Sequence, residues 1–181
     1  MRRLTIGSSF LVLVIAGFLA GGAAPRVAAQ EATPDAGCPV TSEEENIATA
    51  RRWHEEAING HDLDVIDEIA APEIIHHAGT FPDGVGVDAV KGVLGALESG
   101  FPDVQHSIEQ VIADGDLVVV RWTAQGTQSG EFQGLAPTGK SVTWSGVNFF
   151  RFECGKIAEE WSEVDGLGRL QQLGAVATPT P

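Results

Sequence analysis

The stretch Ser141-Val-Thr-Trp-Ser-Gly-Val-Asn-Phe-Phe-Arg-Phe-Glu153 runs into Cys154-Gly155 and leaves as Lys156-Ile-Ala-Glu-Glu-Trp-Ser-Glu-Val-Asp165. Two runs rich in β-branched and aromatic residues flank a two-residue turn, which reads as a tight antiparallel hairpin. Before it, Leu117 to Ser129 is a third long run of the same kind. It joins Ser141 through a Gly-rich link carrying Pro137-Thr138-Gly139-Lys140, where Pro and Gly set a turn. Val104 to Ala113 is a fourth, ended by Asp114-Gly115-Asp116. Large apolar residues fall on both faces of these strands, which fits a sheet with helices on one side and a partner subunit on the other.

Upstream of Phe101 the period is helical. Thr41 with Glu44 is a capping-box pattern, and Ile47, Ala50, His54, Ala57 and Ile58 recur at helical spacing until Asn59-Gly60. His61 to Ile69 predicts a second helix, and Pro72 breaks the pattern before a short extended piece, Ile74-Ile75-His76-His77. Gly84 and Gly86 mark a loop. Val90, Leu94 and Leu97 stripe a third helix that ends at Gly100-Phe101-Pro102. Gly166 to Leu173 predicts a short terminal helix. Helices followed by long antiparallel strands define an α+β chain, its helices packed on one face of a curved sheet.

The ends read differently. Arg2 and Arg3 precede an apolar run from Phe10 to Leu19, and Val27-Ala28-Ala29 offers a small-x-small cut before Gln30. This is the order of a secretory signal, and the apolar core is shorter than the ~20 residues of a spanning helix. Residues 1–29 are therefore expected to be a signal peptide, 30–40 a flexible leader, 41–174 one domain and 175–181 a disordered tail. The chain of 181 residues has 11 basic and 25 acidic side chains. Three arginines and no acid lie in the signal, so the mature form would hold 8 against 25, a net charge of −17. Such a surface repels phosphate backbones and anionic membranes, which excludes nucleic acid and, after cleavage, the membrane as partners. Two cysteines in an exported chain point to a Cys38–Cys154 disulfide, with two unpaired thiols as the other reading.

In order and spacing the chain resembles the SnoaL-like polyketide cyclase (ester cyclase) family of the nuclear-transport-factor-2-like superfamily. The matching text begins with Asn59-Gly60-His61-Asp62-Leu63-Asp64, Phe101-Pro102-Asp103 and Gly115-Asp116-Leu117-Val118-Val119-Val120-Arg121-Trp122. It continues through Gly130-Glu131-Phe132-Gln133-Gly134, Pro137-Thr138-Gly139-Lys140 and Gly155-Lys156-Ile157-Ala158-Glu159. Trp161 with Asp165 follows, and Gln172-Leu173-Gly174 closes the match. The resemblance spans roughly Glu45 to Gly174. It implies a cone-shaped barrel, a strongly bent, mostly antiparallel sheet closed by three helices around a pocket. It also implies ring closure by intramolecular aldol condensation with an aspartate as acid/base and no metal or organic cofactor.

The candidate residues follow from face and type. A strict period of two from Ile157 puts Trp161 and Asp165 on one apolar face, where the ionised carboxylate is disfavoured and suited to acid/base work. The resemblance implies the same aspartate; capping of the helix begun at Gly166 is the other reading. Glu159 and Glu163 share that side if no bulge intervenes, with Arg121 and Arg151 as ion-pair partners or substrate contacts. Of the adjacent His76 and His77 one faces inward, as a substrate contact or a hydrogen-bonded wall residue. They lack a third ligand with metal spacing. Gln128 stands where many family members carry histidine and cannot shuttle a proton near neutral pH. It and Asn148 are further polar contacts.

The expectation is an exported cyclase-, isomerase- or hydratase-type enzyme. Asp165 would move a proton on a small apolar carbonyl compound, and Gln128, Asn148 or an inward His77 would steady the oxyanion. The alternative is a non-catalytic exported module binding a small hydrophobic molecule. A homodimer through the outer sheet face is the expected assembly.

Overall fold

A computed structural model of the chain describes residues 37–177. The expected signal peptide, most of the leader and the last four residues of the expected tail lie outside the described residues. The helices are α1 (Glu43–Arg52), α2 (Val65–Ile69), α3 (Val87–Gly100) and α4 (Gly166–Leu173). The strands are β1 (Ala70–His77), β2 (Gly84–Val85), β3 (Gln105–Asp114), β4 (Leu117–Thr127), β5 (Ser141–Glu153) and β6 (Lys156–Val164). They form one curved sheet in the order β2-β1-β6-β5-β4-β3, antiparallel except where β1 runs parallel to β6. This is the α+β architecture read from the sequence.

The N-cap of α1 is one residue later than the sequence pattern predicts. Ser42 accepts from the Glu45 backbone N–H at 3.3 Å and the Glu45 carboxylate accepts from the Ser42 N–H at 2.8 Å, so the capping box is Ser42–Glu45 rather than Thr41–Glu44. The helix does not end cleanly at Arg52. It widens into a π-helical turn, Trp53–Ile58, with the Asn59 N–H donating to the His54 carbonyl. Trp53 and His54 both face inward, on the same stripe as Ala50, Ala57 and Ile58. The second helix is shorter than predicted, and β1 is longer, beginning before Pro72. The irregular register between Ala70 and Ile75 accommodates that proline.

The core lies between the helices and the inner face of the sheet. Val118, Val120, Trp122 and Ala124 of β4, and Val142, Trp144, Phe150 and Phe152 of β5, meet Trp53, Ile66, Val90 and Leu94 of the helical layer. The hairpin β5–β6 turns at Cys154 and Gly155, both at positive φ (54° and 74°), as a primed two-residue turn requires. Cys154 is bonded to Cys38, with an S–S distance of 2.03 Å and Cα atoms 4.9 Å apart. The bridge ties the segment ahead of α1 to this hairpin. Among the described residues, no helix is long and apolar enough to cross a membrane.

Candidate functional site

The site is set by one irregularity in β6. Arg151 faces Glu159 while its neighbour Phe152 faces Ile157, so Ala158 is an extra residue on the β6 side. A one-residue bulge reverses the faces beyond it. Ile157 points into the core, and so do Glu160, Ser162 and Val164. Glu159, Trp161, Glu163 and Asp165 fall on the other side, contrary to the expectation of a regular strand.

Asp165 is consequently exposed and outside the cavity. It is the N-cap of α4, its carboxylate accepting from the Gly168 N–H at 2.8 Å. Trp161 stacks on His77 at 5.4 Å and 10° on the outer face. There His77 bridges Glu159 and Asp83, each at 3.1 Å, and Arg151 donates to Glu159 at 3.1 Å. The bonds to Glu159 and then Asp83 raise the proton affinity of His77. Partial burial works to raise Glu159, but His77 and Arg151 outweigh it and leave that carboxyl below its ordinary value. Arg121 is exposed on the outer face of β4. Glu163 is exposed as well, so neither expected pairing with Arg121 forms.

Gln128 is fully buried, but as a brace rather than a contact. Its carbonyl accepts from the Thr138 N–H (3.2 Å) and hydroxyl (2.8 Å), and its amide donates to the carbonyls of Leu135 (3.1 Å) and Ala136 (3.2 Å). All four capacities are spent on holding the 128–140 link closed.

Inside, a hydrogen-bonded chain crosses four adjacent strands. Trp122 of β4 donates its indole N–H to the Asn148 carbonyl on β5. The Asn148 amide donates to one oxygen of Glu160 on β6. The other Glu160 oxygen meets Nδ1 of His76 on β1, directly opposite in the parallel pair. Glu160 is fully buried and His76 and Asn148 nearly so. His76 is thus the inward member of the histidine pair, not His77. Its Nε2 is buried without a partner.

These residues line a cavity of about 70 Å³. That exceeds the ~15 Å³ one water needs, and is about half the ~150 Å³ of an apolar cavity that admits benzene. Trp53, Phe81, Phe132 and Trp144 supply apolar wall. A second imidazole, His106 of β3, stacks on Trp122 at 4.2 Å and 19°. Its Nδ1 lies 3.1 Å from Nδ1 of His54, on the π-helical turn. Burial pushes His106 down to about 3; burial first and then His106 push His54 well below the ordinary histidine value, so both rings are neutral. Arg169 of α4 closes one wall. Among the described residues no cluster of three or more His, Cys, Asp or Glu could hold a metal ion.

The sequence reading did not single out Glu160, His106 or Arg169. Arg169 had a signal: it lies four residues before the buried Leu173, on the inward stripe of α4. Glu160 had a weaker one, since of two consecutive strand glutamates one must face inward.

A model of the SnoaL-like polyketide cyclase family matches residues 48–173. Among solved structures, a candidate SnoaL-like polyketide cyclase from Jannaschia sp. CCS1 is 27% identical, with a TM-score of 0.69 over 76% of this chain and 95% of that one. AclR, a candidate hydroxylase from Streptomyces galilaeus, is 30% identical, with a TM-score of 0.68 over 77% and 87%. IdmH, a candidate polyketide cyclase from Streptomyces antibioticus, is 31% identical, with a TM-score of 0.63 over 71% and 98%. No curated protein matches the chain. The chain belongs to the SnoaL-like polyketide cyclase family, which supports a cyclase- or isomerase-type enzyme.

Proposed function

We propose that this is an exported proton-transfer enzyme of the cyclase or isomerase type, acting on a small carbonyl compound, with His76 as the general base. One observation carries the reading: Glu160 engages Nδ1 of a buried histidine whose Nε2 has no partner, in a ring that lines the cavity. A carboxylate on Nδ1 fixes the tautomer with hydrogen there, leaves the Nε2 lone pair as base, and stabilises the imidazolium once it forms. Asn148 and Trp122 hold the carboxylate in turn, so the base is oriented by side chains locked in the sheet.

In the step proposed, His76 Nε2 takes a proton from the carbon next to a carbonyl. The C–H electron pair moves into the C–C bond, and the carbonyl oxygen becomes an enolate. His106 supplies the donor for that oxygen when His54 Nδ1–H donates to His106 Nδ1, which places the hydrogen of His106 on Nε2. The enolate then regains a proton at carbon, giving exchange or isomerisation. Where the molecule carries a second carbonyl, it closes a ring and the new alkoxide takes the proton back from His76. Asp165 has no part in this step, because its carboxylate caps α4 outside the cavity.

The disulfide supports the export half of the proposal, since such a bond persists in oxidising compartments. The non-catalytic alternative, a binder of a small hydrophobic molecule, draws on the same apolar walls. Proton exchange in deuterated water separates the two. The protein should speed deuterium uptake into small enolisable ketones, and His76→Asn should slow it by about 100-fold or more. Binding of those ketones without any exchange by the native chain would make it a binder.

A further inference from the structure

Arg169 is the group in the cavity wall that the proton-transfer step does not use. It is a cation with only 3% of its surface exposed, yet its Nε has no hydrogen-bond partner. Its guanidinium makes one long bond, from Nη2 to the side-chain amide oxygen of Gln133 at 3.4 Å. Otherwise it lies over two aromatic faces, 4.7 Å from the centroid of Phe132 and 5.3 Å from that of Trp144. Among the described residues no carboxylate stands within ion-pair distance of it. Glu160, the carboxylate that shares the cavity, is committed to His76 and Asn148. Asp165, one turn earlier on the chain, acts on it only at a distance and is itself bound to the Gly168 N–H.

A buried guanidinium without a counter-charge is costly, because the aromatic faces replace only part of its lost hydration. Burial accordingly lowers its hold on its proton, with Asp165 opposing. Such a group is tolerated where something else supplies the missing acceptors. The fork of N–H donors matches the two oxygens of a carboxylate, a charge-assisted pair made stronger by the dry, aromatic surroundings.

We propose that the small carbonyl compound of this cavity is an oxo acid, its carboxylate seated against Arg169 while its enolisable carbon is presented to His76. This deepens the proton-transfer reading and rests on it for the role of His76. The cavity of about 70 Å³ suits a compound of a few heavy atoms, and a polycyclic one would not fit within it. It also gives the residues of the cavity wall different tasks: Arg169 recognises, and His76 with Glu160 reacts.

The test compares pyruvate with methyl pyruvate, which keeps the ketone and removes the charge. Binding to the full chain is followed by ligand-observed NMR and by fluorescence of the cavity tryptophans. Pyruvate should bind at least about tenfold more tightly than the ester, and Arg169→Gln should abolish that preference. Equal binding of acid and ester by the native chain, no binding of pyruvate, or an acid preference that survives Arg169→Gln would each overturn the proposal. The native comparison stands even if the variant does not fold. Deuterium uptake in the same samples separates the two readings. A carboxylate preference without exchange would sink the catalytic role of His76 and leave the anion site standing. Equal binding of acid and ester, with exchange that is lost in His76→Asn, would do the reverse.

Discussion

Gly146 has no side chain because Trp122 occupies the space. A Cβ built there would stand 2.3 Å from Cζ2 of the indole and 2.7 Å from the Glu163 carbonyl oxygen. The indole that lies over this glycine is the one that donates to Asn148, so backbone and base are connected through a single missing methyl. Gly146→Ala should therefore cost about 1–3 kcal/mol by denaturant titration. It should also slow proton exchange by up to about 100-fold, since a displaced Trp122 loosens the chain of bonds that aims His76. Asp165 predicts the opposite pattern. Asp165→Ala removes the cap of α4 and should lower stability by about 1 kcal/mol, whereas Asp165→Asn should be nearly neutral because asparagine caps as well. Exchange should survive both. Loss of exchange in Asp165→Asn at unchanged stability would return the acid/base role to that residue.

At the scale of elements, the sequence revealed the strands more faithfully than their faces. The run Ser141–Glu153, the turn at Cys154-Gly155 and the helix Gly166–Leu173 coincide with β5, the hairpin and α4. The side assigned to Trp161 and Asp165 does not, because counting by two from Ile157 misses the extra residue Ala158. Nothing in the apolar pattern marks that bulge, since Ala158 and the two glutamates after it suit either register. The π-helical turn was equally hidden, and His54 within it lies against His106. Both imidazoles are buried and held below their unfolded value near 6.5. Below about pH 6.5 the unfolded chain binds protons that the folded chain refuses, so stability falls as pH falls, by up to about 1.4 kcal/mol per pH unit for each ring. Denaturant titration between pH 7.5 and 5 should show this slope, offset in part by His77, whose proton affinity is raised on folding, and His106→Gln should reduce it; a pH dependence unchanged in His106→Gln would contradict the burial of an uncharged ring there.

For the molecule as a whole, the Cys38–Cys154 bond joins residues 116 positions apart. Closing a loop of that length restricts the unfolded chain enough to contribute about 4–5 kcal/mol on the loop-entropy account. Reduction should lower the denaturation midpoint accordingly, and an unchanged midpoint would mean that the α+β layers hold without the bridge. We further propose that the outer face, where Phe149 is partly exposed beside Trp161, pairs two copies. Gel filtration of the protein should then give a dimer, and a monomer at micromolar concentration would end that idea. The proposed step depends above all on which nitrogen of His76 carries the hydrogen. Nitrogen-15 NMR of the folded chain at neutral pH reads this directly. Hydrogen on Nδ1 and a bare Nε2 are expected in the native protein, with that tautomer lost in Glu160→Gln. Hydrogen on Nε2, or a tautomer indifferent to Glu160, would contradict it.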